Sequence, residues 1–198
     1  MSLSSRRLSS AFMLVILSVG AAAARATPLS ADMIVSVPDQ TLALIDHGKL
    51  LARYPISTSK FGTGDSAASY RTPLGTLFVS AKIGDRLPPG AVIKNRMPTG
   101  EVVGVDAPGR DAIVARVIWL RGMEAQNEKA RDRCIYIHGT PEERRIGKPA
   151  SFGCIRMRSR DIIDLYDRVH IGTHVTISLR RIDNFVKPEE PNLLARSD

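Results

Sequence analysis

Thiols are scarce in this chain. Two cysteines among 198 residues allow at most one internal disulfide. That excludes a cystine-stapled mini-protein and every zinc site needing three or four thiolates. Also missing are an internal repeat, a separate binding module and the low hydrophobicity that keeps chains disordered: 43% of residues are apolar and 24% charged, as in an ordinary globular protein. The length predicts one domain, since a single core typically serves about 100–200 residues. Acids are outnumbered, and the net charge of +8 fits nucleic acid, an anionic membrane face or an acidic polymer until the charge has a location.

That location is supplied by the N-terminus. Arg6 and Arg7 precede the apolar run Ala11–Leu17, which continues through Val19 and Gly20 to Ala21–Ala24 and then Arg25-Ala26-Thr27-Pro28. A cationic start, an uncharged core too short to span about 30 Å of hydrocarbon and small residues before Ala24 or Ala26 read as a secretory signal peptide over residues 1–26. The twin arginine is followed by a poor match to the corresponding export pattern, so general secretion is expected. Losing residues 1–26 removes Arg6, Arg7 and Arg25 and no acid, lowering +8 to +5. An exported basic protein meets an anionic envelope polymer rather than nucleic acid, and a membrane only during export.

Beyond Pro28 short β-type runs alternate with Gly, Pro and Asp, predicting a mainly β fold with one or two helices. Strands are expected near 33–37, 41–46, 50–57, 76–79, 112–120, 134–138 and 173–179. His47 falls in an Asp-x-Gly turn, and residues 58–76 read as a long loop. The Gly62-Thr63-Gly64 run imitates a phosphate-binding fingerprint, but no helical period follows it. Residues 84–110 are too rich in Pro and Gly to divide into elements. Residues 126–133 read as a charged surface excursion. In Cys134-Ile135-Tyr136-Ile137-His138, alternation places Cys134, Tyr136 and His138 on one face and the two isoleucines on the other. The best helix runs from Ser159, read as its N-cap, to Val169. The domain is bounded at 27–185, with a loosely ordered tail at 186–198.

Between that strand and that helix lie His138-Gly139-Thr140 and Ser151-Phe152-Gly153-Cys154-Ile155-Arg156-Met157. Thiol chemistry requires thiolate, and at an unperturbed pKa of about 8.5 little is ionised at neutral pH. A neighbouring imidazole can take the proton and hold the thiolate as an ion pair. Gly153 permits a tight turn that leaves backbone N–H groups open to an oxyanion. Arg156 offers a planar fork suited to a substrate carboxylate. On spacing alone a buried packing cysteine and a hydrogen-bonded core histidine remain open readings. A zinc site from Cys134, His138 and Cys154 is conceivable but lacks a fourth ligand at any recognised spacing.

At these residues the sequence resembles the YkuD-like L,D-transpeptidase family. The match comprises Ile137-His138-Gly139-Thr140, Ile146–Ser151, Gly153–Met157 and Gly172–Ile177, with Tyr54–Ser59 and Thr72–Thr76 upstream, so it covers roughly residues 33–179. The resemblance implies a mixed β-sandwich or barrel-like catalytic domain in the bacterial periplasm or cell envelope, acting on peptidoglycan stem peptides in cell-wall organisation and cell shape. By position Cys154 resembles the acylating nucleophile and His138 its general base. The Gly139 carbonyl would orient the imidazole, and N–H groups of Gly153 and Cys154 would hold the oxyanion. Ser151, Phe152 and Arg156 would lie at the substrate, Arg156 alternatively bracing the loop. The implied reaction expels the terminal D-Ala of a tetrapeptide stem, passes the acyl group to an amine on a second stem or an envelope lipoprotein, and needs no metal or organic cofactor. The alternatives are carboxypeptidase, exchange or lipoprotein-release activity by the same acyl-enzyme, and a catalytically weak wall-binding domain. One departure stands out: Phe152 occupies the place where most of the family has a second histidine, so an imidazole contact to acceptor or substrate is lost.

Overall fold

The computed structural model describes residues 31–186. The leader expected at 1–26, and all but Val186 of the tail expected at 186–198, lie outside the described residues. The elements run β1 (Ala31–Ser36), β2 (Thr41–Asp46), β3 (Lys49–Pro55), β4 (Gly75–Ile83), β5 (Ala91–Lys94), β6 (Met97–Val102), β7 (Val114–Gly122), β8 (Tyr136–Gly139), β9 (Ile155–Met157), α1 (Ser159–Arg168) and β10 (His174–Ser178). The mainly β expectation holds, and the strands form one mixed sheet ordered β3-β2-β1-β10-β4-β7-β5-β6. It branches at β7, which also pairs with β8, and β8 in turn carries β9.

Tight turns build the hairpins. His47 (φ 50°) and Gly48 (φ 83°) turn β2 into β3, and two successive positive φ angles match the twist of the flanking strands. His47 is exposed there, with Nδ1 2.6 Å from Asp46 Oδ1. Asn95 (φ 52°) and Arg96 (φ 66°) do the same for β5 and β6, the hairpin hidden in the stretch that sequence could not divide. β7 is covered on both faces, as its continuous apolar run predicts. Ile118 and Leu120 enter the main core, while Val117 packs with Ile93 and Tyr136 in a second cluster.

Helix α1 packs Ile162, Leu165 and Tyr166 into the main core. Ser159 is its first residue rather than its cap, which is Arg158. The free Ser159 N–H is satisfied from outside, donating to Glu143 Oε1 at 2.9 Å. At the other end the Lys82 ammonium donates to the carbonyls of Tyr166 and Val169, each at 2.7 Å, where the helix dipole favours a cation. The excursion at 126–133 contains a 3-10 turn at Ala125–Ala130 that buries Asn127 and Ala130.

Residues 57–73 form a loop closed on itself, with Gly64 N–H on the Thr72 carbonyl (2.8 Å) and Thr72 N–H on the Gly62 carbonyl (3.1 Å). No helix follows the glycines, as expected. The loop is pinned at its start by buried Gln40, whose amide oxygen accepts from Thr58 N–H (2.8 Å) and whose amide nitrogen donates to Thr58 Oγ1 (2.7 Å). Gln40→Ala would leave the buried Thr58 N–H and hydroxyl without their partner, a loss of roughly 1–3 kcal/mol. Urea unfolding should show it as a lower midpoint, and a shift under ~0.5 kcal/mol would show that the contacts do not hold the loop.

Candidate active site

Strands β8 and β9 run parallel, with Ile137 opposite Ile155, His138 opposite Arg156 and Gly139 opposite Met157. Alternation then sorts the side chains. Ile135, Ile137, Ile155 and Met157 enter the main core, while Tyr136 and Cys154 pack on the other face. Cys154 therefore lies beside Tyr136 and diagonal to His138, at about 8 Å between Cα atoms by ladder spacing. Gly139 has no room for a side chain, since a Cβ would stand 2.5 Å from the Val114 carbonyl oxygen. The site thus arises where a bulky-free strand end meets the start of a three-residue strand.

His138 is buried, and its Nδ1 lies 2.8 Å from the Gly139 carbonyl oxygen. A carbonyl can only accept, so Nδ1 carries the proton and Nε2 presents a lone pair. Burial, with the Arg156 guanidinium assisting, lowers the imidazole pKa to about 4, against opposing pulls from the Gly139 hydrogen bond and Asp111. The Cys154 thiol donates to the Cys134 carbonyl at 3.3 Å and accepts from Tyr136 N–H at 3.4 Å. Burial pushes its pKa up to about 11, although Tyr136 N–H, Arg156 and Arg133 favour the thiolate. Both shifts favour a neutral thiol and a neutral imidazole over the ion pair that such a couple can form. For this thiol to act as a nucleophile its proton would have to move to Nε2 during attack, starting with rotation of the S–H away from the Cys134 carbonyl.

Two of the three expected substrate contacts have other work. The Arg156 guanidinium is buried and already paired, Nη2 with Asp111 at 2.5 Å and Nη1 with Glu142 at 3.1 Å. It braces the loops around the site, and its fork is not open to a substrate carboxylate. Ser151 is fully buried, its hydroxyl donating to the Cys154 carbonyl at 2.5 Å and accepting from Gly153 N–H at 3.2 Å. It ties the nucleophile turn together instead of facing substrate. The same bond occupies the Gly153 N–H, whereas Cys154 N–H meets no acceptor among the described residues and is the candidate oxyanion donor. Gly153 adopts φ +120°, and its carbonyl accepts from Thr72 Oγ1 at 3.0 Å. Only Phe152 stands open to solvent, at 49% exposure.

Cys134 lies outside the strand predicted to contain it, yet it packs in the cluster of Tyr136 and Cys154, on the face expected. It precedes β8 with φ +56°, and both cysteines are free. Its contribution to the site is the carbonyl that holds the Cys154 proton. Sequence reasoning missed Asp111 and Glu142, which lie in irregular segments with no pattern to single them out.

A family model of the L,D-transpeptidase catalytic domain, YkuD, matches residues 30–177. The chain belongs to this family. Bacillus licheniformis YkuD is 31% identical over 144 residues, covering 73% of this chain and 63% of that protein. Bacillus subtilis YqjB is 29% identical over 157 residues, covering 76% and 74%. Among solved structures, Bdellovibrio bacteriovorus Bd1075 is similar in fold, with a TM-score of 0.50 at 14% identity over 76% of this chain and 48% of that one. The match spans less than two thirds of YkuD and about half of Bd1075.

In this L,D-transpeptidase domain the neutral pair has a measurable signature. Alkylation of Cys154 by iodoacetamide, followed by peptide mapping, should accelerate about tenfold per pH unit from 7 to 10; a plateau across that range would show a preformed thiolate. The His138 pKa lies lower in the fold than its unfolded value, so between these values the unfolded chain binds the proton and the folded chain does not. Its contribution to stability is fully present above about pH 6.5 and is lost as the pH falls towards 4. His138→Gln should flatten the fall in melting temperature over that window; an unchanged slope would rule out His138 as its source.

Proposed function

We propose that the domain is an exported acyltransferase that takes peptidoglycan tetrapeptide stems as acyl donors. The observation that carries this reading is His138, whose Nδ1 is committed to the Gly139 carbonyl while Nε2 remains a free base on the face shared with Cys154. Family membership supports the substrate class. The basic excess fits an anionic wall, and the N-terminal sequence fits export to the periplasm or cell envelope.

In the proposed reaction Nε2 takes the Cys154 proton as sulfur attacks the carbonyl of the third, diamino acid residue. The Cys154 N–H stabilises the oxyanion of the tetrahedral intermediate. Collapse returns the proton to the leaving nitrogen and releases terminal D-Ala, leaving a thioester. An amine then attacks that thioester, giving a cross-link to a second stem or attachment to a protein amine, and the thiol is regenerated. With water in place of the amine the same intermediate gives carboxypeptidase activity, and with a free amino acid it gives exchange.

Incubation with disaccharide-tetrapeptide should give a covalent adduct on Cys154 by intact mass, absent in Cys154→Ala. His138→Ala should slow adduct formation by roughly 10²-fold or more, whereas His47→Ala, in the exposed β2–β3 turn, should not. Equal rates for both histidine variants would sink the base assignment. No adduct in a folded, reduced protein would favour a wall-binding domain without turnover. Mass analysis of products separates cross-linked dimer, tripeptide and exchanged tetrapeptide.

A further inference from the structure

Beside the candidate nucleophile lies an exposed aromatic cluster that the chemistry above does not use. Phe61, Tyr70 and Phe152 are 46%, 57% and 49% exposed. Their ring centroids stand 5.7 Å (Phe61 to Phe152), 5.9 Å (Tyr70 to Phe152) and 6.1 Å (Phe61 to Tyr70) apart. In a chain with so few aromatics, three large rings gathered in the open form a patch of the kind that marks binding. Tyr70 is held at φ +53°, an uncommon conformation for a bulky residue, with its carbonyl accepting from Ser59 Oγ at 2.5 Å.

The cluster is locked to the nucleophile turn. Lys60 N–H donates to the Ser151 carbonyl at 3.1 Å, Thr72 Oγ1 donates to Gly153, and Phe152 is two residues from Cys154. The surface is already occupied by a ligand of one chemical type. The Lys60 ammonium lies 4.2 Å from the Phe152 centroid and 5.1 Å from that of Phe61, and it pairs with no carboxylate among the described residues. Ring faces attract cations of this kind.

We propose that Phe61, Tyr70 and Phe152 form the binding platform for the primary ammonium of the acyl acceptor, and that Lys60 is a resident occupant which the acceptor displaces. This rests on the acyltransfer reading and deepens it. The acceptor arrives protonated, docks on the rings beside the thioester, gives one proton to His138 Nε2 and attacks as the free amine. Its nitrogen loses a second proton, sulfur leaves and is protonated to the thiol, and one proton passes to solvent. The same platform serves a diamino acid side chain or a protein lysine.

The test forms the acyl-enzyme with tetrapeptide, counts it by intact mass, and then measures transfer against acceptor concentration for the wild type, Phe152→Leu and Lys60→Met. Acceptors are a diamino acid tripeptide, Nα-acetyl-lysine amide, and methoxyamine, which is uncharged at neutral pH. For the cationic acceptors, Phe152→Leu should raise the half-maximal concentration roughly 3- to 10-fold and Lys60→Met should lower it, with methoxyamine indifferent to both. Whichever cationic acceptor shows the larger Phe152 dependence identifies the source of the amine. An unchanged value in Phe152→Leu, a rise in Lys60→Met, or an equal effect on methoxyamine would overturn the proposal. A titration of the free protein with Nα-acetyl-lysine amide, followed by NMR of the aromatic rings, needs no chemistry. Saturable ring shifts without acylation would sink the nucleophile reading and keep the platform, whereas acylation without shifts or Phe152 dependence would do the reverse.

Discussion

Three residues, Ile155–Met157, hold the functional face together. On one edge β9 pairs parallel with β8; on the other, Ser57 and Arg156 exchange two backbone hydrogen bonds of 2.9 Å. β9 is therefore the shared strand between the base-bearing element and the loop that carries the aromatic rings. Its register is strongly determined. A one-residue slip would exchange the two faces, turning Ile155 and Met157 out and driving the Arg156 charge into the apolar core. The penalty for an unpaired buried charge, several kcal/mol, far exceeds what a three-residue ladder could recover by slipping.

The charges around Arg156 serve position more than net stability. Buried ion pairs are weak evidence for stability, because desolvation offsets much of the attraction, yet losing one partner is expensive. Arg156 links the segments bearing Asp111 and Glu142 to β9 at the level of His138. Because Arg156 lowers the imidazole pKa and Asp111 raises it, their influences oppose, and burial decides the protonation state. The same burial keeps the thiol protonated. A thiol so held reacts slowly with oxidants or stray electrophiles, and in the proposed reaction would become nucleophilic only as its proton moves to Nε2.

Most strands were legible because apolar alternation and turn residues agree along the chain, as at Asp46-His47-Gly48. The β5–β6 hairpin was not, since β6 is exposed along its length and so has no buried face to show a period. The start of β8 was set two residues early for a different reason: the positive φ at Cys134 leaves no trace in residue type. Cys154, His138 and Gly139 could be named because their chemistry is local to short motifs. The roles of Ser151 and Arg156 could not, since a hydroxyl or guanidinium near a nucleophile is equally suited to substrate or scaffold, and only the long-range partners decide.

Phe152 sharpens the division of labour. The chain has four histidines. His47 sits in the β2–β3 turn, His170 contacts Thr173, and His174 lies in β10 opposite Phe78. None of these shares the β8–β9 face, and the ring next to Gly153 has no proton to exchange. In the proposed reaction the protons moved between thiol, leaving group and incoming amine would then pass through Nε2 of His138 or through solvent. On that proposal one base would serve acylation and its reversal in alternating states, while the neighbouring ring face would contribute only attraction. Separating proton transfer from acceptor attraction lets either be altered without the other, which a second histidine serving both purposes would not allow.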